Sequence, residues 1–218
     1  MTVYTFEANP STQGVNWDDP TVWSGGIVPN SPDADVVFPT VTVVATGQPY
    51  VSLVTIKSAE NFTVNSVSLA NNDLFLDGGL TVGTTFDMQS GSFLSIQGGT
   101  LSTGSLISGD ISGAGDITAT GSFANSGTII ADTNGAPNGF VSLTITANSL
   151  SGPGLFSAAV GDLIVNVAPG GFANLSGTSL IGGSYRSEEG TLDLNIGGPV
   201  VTDAATLVDL GTIATYNG

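Results

Sequence analysis

The chain has 218 residues, 40% of them hydrophobic and only 9% charged, and its two basic residues, Lys57 and Arg186, stand against 18 acidic ones for a net charge of −16. So low a charged fraction leaves Ser, Thr, Asn and Gly to make the polar surface, a recipe for short strands and tight turns rather than amphipathic helices. The charge balance argues against nucleic acid and anionic membranes as partners, and the absence of Cys and His removes disulfides, Cys/His zinc sites and Cys- or His-dependent catalysis.

Residues 1–35 differ from the rest. Both tryptophans, Trp17 and Trp23, lie here in the run NWDDPTVWSGGIVPNSPDADVVF, with Gly25-Gly26 and Pro29-Asn30 as turn chemistry. This segment reads as a cap over a repetitive array, because the end of such an array exposes core and strand edges. Met1 to Pro10 has neither a basic nor an apolar signal-peptide region, so an export signal is expected either to have been removed or to lie elsewhere. No 18-residue apolar run is present, and no membrane-inserted segment is expected.

From Val36 to the end, short alternating or apolar runs recur. They are VVF at 36–38, VTVV at 41–44, VSLVTI at 51–56, FTVNSVSL at 62–69, LFL at 74–76, FLSI at 93–96, VSLTI at 141–145, LIVNV at 163–167 and LDL at 192–194. Alternation with period two and β-branched residues predict strands. Glycines between the runs, among them Gly78-Gly79, Gly98-Gly99, Gly104, Gly113, Gly115, Gly121 and Gly127, predict abrupt corners. Val201 to Leu210 is the best helix candidate and fits a strand pair equally well. GSFANSGTIIAD at 121–132, GLFSAAVGDLIVNV at 154–167 and GGFANLSGTSL at 170–180 are loose echoes of one another. The pattern predicts an all-β fold, a β-solenoid whose coils of roughly 20 residues bury their apolar faces against neighbouring coils. About nine or ten coils stacked about 4.8 Å apart would make a rod on the order of 45 Å long.

The series GDITATGSFANSGTIIAD, at 115–132, resembles the β-helical repeats of bacterial autotransporters and filamentous-haemagglutinin-like surface proteins. The segment from Phe172 to Ile213 is similar to a longer repeat of such proteins, with Gly182 to Tyr185, Thr191 to Leu194 and Thr202 to Leu210 as its matching parts. NWDDPTVWSGGIVP resembles the segment that opens such helices. The resemblance implies a right-handed parallel β-helix, secretion, and a role in adhesion or biofilm; it carries no catalytic residues to this chain. The last residues, Tyr216 to Gly218, fall mid-pattern, which reads as a fragment of a longer protein.

Few residues offer chemistry. Asp18-Asp19, Asp33 with Asp35, and Glu188-Glu189 are the tight acidic pairs, and glycoside hydrolysis needs two carboxyls at a set separation. A polysaccharide lyase would need a base, for which only Lys57 and Arg186 exist; an exposed turn carrying an Arg186 ion pair is the plainer reading. Asp33, Asp35, Asp18 and Asp19 are the candidate calcium ligands, weighed against turn and cap roles for short acids. Trp17 and Trp23 are the candidate sugar-stacking residues, weighed against an end plug for the core. A Ser58-Lys57 dyad is disfavoured because adjacent strand residues point to opposite faces. The expected function is a non-enzymatic structural or adhesive segment of an extracellular or cell-surface protein, without a cofactor unless calcium binds. Its expected partners are copies of itself or host and matrix glycans. The alternative is a carbohydrate-binding or carbohydrate-active module on the same scaffold.

Overall fold

A computed structural model describes residues 1–7, 14–40, 53–132, 142–200, 202–203, 205–209 and 212–215. The described chain is nearly all β-structure, dominated by one large parallel sheet. Its helical content is two single 3-10 turns, Pro20–Val22 and Ser24–Gly26. The runs expected at 41–44 and at 51–52, and the chain end at 216–218, lie outside the described residues. The Val201 to Leu210 region resolves toward strands, with Thr202–Asp203 and Thr206–Asp209 extended.

The pairing has a simple rule. Two long strands, Phe93–Ser108 and Asp110–Asn125, each bend twice and so present three straight segments. Residues 93–97, 100–103 and 106–108 of the first pair in parallel with 110–114, 116–119 and 123–125 of the second, with register shifts at the bends. The next pass lays Thr128–Ala131 on the first segment and Ser142–Ser151 on the other two. Then come Leu155–Ala158 with Asp162–Val167, Ser184–Ser187 with Thr191–Asn195, and Thr206–Asp209 with Thr212–Thr215. Toward the N-terminus the same rule places Asp73–Leu76 with Gly79–Met88, then Leu53–Ile56 with Asn61–Leu69, then Val15–Asn16 with Ser31–Phe38. Thr2–Thr5 closes that end by pairing with residues 34–37. The first 35 residues thus supply strands to the sheet as well as covering its end. A small separate sheet joins Leu175–Ser176, Ser179–Leu180 and Thr202–Asp203.

Register explains the core. On the first segment Val54, Leu74, Leu94, Ile111, Ile129, Phe156 and Tyr185 lie over one another, and all are buried. Phe156 and Tyr185 stack with ring centroids 5.7 Å apart. Phe62, Leu80, Leu101, Ile117, Ile145, Val165 and Leu194 form the second column. Val36, Val67, Phe86, Leu106, Phe123, Leu150 and Phe172 form the third. Each such side chain contributes about 1.5–3 kcal/mol by leaving water. The spacing within a column varies from 16 residues (Leu101 to Ile117) to 31 (Val36 to Val67). Passes therefore differ in loop length while the buried ladder stays in register.

The bends are held by backbone approach. A Cβ on Gly99 would stand 2.5 Å from the Gly78 carbonyl oxygen, and one on Gly115 2.5 Å from that of Gly99. At the next bend a Cβ on Gly121 would stand 2.6 Å from the Gly104 oxygen, and at the last one on Gly127 would stand 2.3 Å from that of Gly109. Gly99, Gly104, Gly121 and Gly127 do not have positive φ. The need for glycine there is space between layers, whereas the sequence suggested corner φ values. The last bend is also polar inside. Ser92 Oγ donates to the Leu69 carbonyl (2.7 Å), Asn72 Nδ2 to those of Pro39 and Ala70, Asn125 Nδ2 to that of Leu155 (3.2 Å), and Asn174 Nδ2 to that of Gly152 (2.9 Å). The bonds from Asn72 to Pro39, Asn125 to Leu155 and Asn174 to Gly152 reach backbone carbonyls of an adjacent pass, so these side-chain amides are satisfied inside the bend.

Candidate functional sites

The acids singled out in the sequence are dispersed. Asp19 caps the turn at Pro20–Val22 by accepting from the Thr21 backbone N–H (2.8 Å) and hydroxyl (2.6 Å), bonds that lower its pKa. Asp35 accepts from Ser66 Oγ (2.6 Å) and Asn65 Nδ2 (2.7 Å), and those bonds hold its carboxyl below the usual range. Asp18 stands 3.7 Å from Lys57 Nζ, and Asp33 is exposed. Among the described residues no group of three or more Asp, Glu, His or Cys is placed to hold a metal ion. The four acids of the calcium expectation, Asp18, Asp19, Asp33 and Asp35, are not brought into one such group: Asp19 caps a turn, Asp35 accepts side-chain hydrogen bonds and Asp18 faces Lys57.

The tryptophans are inside. Trp17 and Trp23 are fully buried, with ring centroids 4.9 Å apart, and both pack on Phe38. Trp17 Nε1 donates to the Pro29 carbonyl (3.0 Å) and Trp23 Nε1 to that of Trp17 (2.8 Å). Stacking on a sugar requires an exposed ring face, and neither ring has one here. The rings plug the N-terminal end of the interior.

Arg186 lies on Ser184–Ser187 and meets Glu188 at 2.5 Å, with both side chains partly exposed. Lys57 is shared between Asp18 and Glu60, and its own backbone N–H donates to Glu60 Oε2 (3.0 Å). Each basic residue is thus already paired, in exposed arrangements worth about 0–1 kcal/mol. Asp73 differs from the other acids. Its register partners are Leu53 on one side and Phe93 on the other, and burial raises its pKa. A raised folded-state pKa means that the fold gains stability below the unfolded value and loses it as pH rises through the folded value. Asp73→Asn is therefore expected to raise the melting temperature at pH 7, with the gain vanishing as pH falls below the carboxylate range. Melting curves of both proteins at pH 7 and pH 3 check this; an equal difference at both pH values would refute it.

The sequence did not single out the outer side of the second segment. There Thr63, Thr81, Ser102, Thr118, Thr146, Asn166 and Asn195 stand in one unbroken register across seven passes, opposite the buried column. Asn195 Nδ2 donates to Asn166 Oδ1 (2.9 Å), continuing the column by direct side-chain contact. At this end a groove of about 340 Å³ is lined by Thr146, Ala147, Asn148, Asn166, Val167, Ala168 and Asn195. The signal was present in the sequence as T-x-T-like pairs at Thr100/Ser102 and Thr144/Thr146, but the column is visible only once the register is known.

No family model, no curated protein and no solved structure matches this chain.

Proposed function

We propose that the chain is a right-handed parallel β-helix that serves as a structural and adhesive segment of an extracellular bacterial surface protein, without catalysis. The observation that carries this reading is the repetition itself: three segments per pass, each in parallel register with the next, around three buried columns. Parallel strands joined by successive crossovers favour the right hand. Among the described residues nine first-segment strands, from Val15–Asn16 to Thr206–Asp209, would stack over about 40 Å at about 4.8 Å each. A scaffold of this kind acts by geometry, holding its side faces and loops at fixed spacing along a rod. The dispersed acids and the pairing of both basic residues fit a display role better than a reaction centre. The resemblance of residues 115–132 and 172–213 to surface-protein repeats supplies the adhesive part of the reading. Beads coated with the protein are expected to be retained on bacterial matrix or host-cell layers well above albumin-coated beads. Retention at the albumin level would overturn the adhesive role, and release of sugar from a polysaccharide panel would replace it with an enzymatic one.

A further inference from the structure

We infer that the outer side of the second segment, centred on the groove beside Asn166, binds a neutral, hydroxyl-rich polysaccharide chain; this names a ligand for the adhesive reading and rests on it. Two observations that share Thr146, Asn166 and Asn195 point there. The first is the column of side-chain hydroxyls and amides from Thr63 to Asn195, which repeats at the layer spacing of about 4.8 Å along the stack. A polymer of sugar rings lying along that column would meet an equivalent polar group at each step. The second is the groove, whose size lies at the lower end for small-ligand sites. Among its lining residues Thr146, Asn148, Asn166 and Asn195 offer donors and acceptors together, with the partly exposed Ala168 beside them.

Charge selects the ligand class. Lys57 and Arg186, the chain's two basic residues, are both absent from this lining, so nothing in the groove would neutralise a carboxylate or sulfate. Asp116 and Asp193 stand in the neighbouring outward column, between Thr100 and Ala214 in register order, and would repel anionic polymers. Neutral glycans carry no such penalty. Asn148 Nδ2 donates to the Thr120 carbonyl, which ties this amide to its place beside the groove.

Affinity electrophoresis of the full chain through gels containing neutral glucans, mannans or xylans, beside alginate and heparin, tests the inference. Retardation is expected in at least one neutral gel and in neither anionic one. Asn166→Ala and Thr146→Ala are each expected to weaken that retardation about tenfold, while Thr128→Ala, on the first segment, leaves it unchanged; unaltered melting curves would show that the fold is intact. Retardation by anionic polymers alone, or equal retardation of all variants, overturns the site. Matrix adhesion without retention in any neutral gel overturns this inference and spares the adhesive reading. Neutral-glycan retention without matrix adhesion does the reverse.

Discussion

Gly113→Ala is expected to destabilise the protein by at least about 2 kcal/mol, lowering its melting temperature by about 5 °C or more. Gly113 has φ +120, a conformation that L side chains rarely adopt, and a Cβ there would stand 1.9 Å from the Ile96 carbonyl oxygen of the preceding pass. The obstacle is backbone, so no side-chain rotation relieves it. The inner column at this position runs Ile56, Leu76, Ile96, Gly113, Ala131, Ala158 and Ser187, from bulky to small. At Gly113 the chain itself takes the place of a side chain. Gly83→Ala is the matched control: Gly83 lacks a positive φ, and the nearest atom to its Cβ would be 3.7 Å away. Its cost should stay within about 0.5 kcal/mol. Urea or thermal unfolding of the three proteins decides the matter, and equal stability of Gly113→Ala and Gly83→Ala would refute the close-approach account.

That contrast also shows what the sequence could and could not reveal. Alternation identified strands wherever aliphatic residues dominate, as at 62–69, 74–76 and 163–167, since period-two burial leaves its mark directly on residue type. It failed between Gln97 and Asn125, where glycines looked like punctuation and two 16-residue strands run through them. A glycine needed for room between layers is indistinguishable in one sequence from a glycine needed for a turn. The difference is a contact across about 20 residues, such as Gly99 on Gly78. The same reason hid the buried Asn72, Asn125 and Asn174, which read as surface amides until their partner carbonyls in adjacent passes are seen. The candidate acids and tryptophans were visible as residue types, but their role depends on burial and company. Asp35 is occupied by Ser66 and Asn65 from the next pass, and Trp17 and Trp23 face inward.

The second large effect lies at that aromatic end. Trp17→Ala is expected to cost about 3–5 kcal/mol, the range for emptying a buried large aromatic site. Trp17 touches Trp23, Phe38 and Phe62 at centroid distances of 4.9, 5.8 and 5.7 Å, so its loss leaves a cavity bounded by three rings. It also removes the donor to the Pro29 carbonyl. Phe6 packs on Trp23 and Phe38, which ties the strand Thr2–Thr5 to the same cluster. The damage should therefore be local before it is global: backbone amides of residues 2–6 and 15–17 should exchange faster, while those of Leu143, Ile145 and Val165 keep their protection at low denaturant. Trp17→Phe should recover part of the packing but not the indole donor to the Pro29 carbonyl, placing its stability between the other two. Because Trp23 is the one tryptophan left in either variant, its emission reports the plug. A red shift in Trp17→Ala, smaller in Trp17→Phe, is the expected order. An unshifted emission together with a loss below about 1 kcal/mol would mean that the rings fill space that the remaining core closes without them.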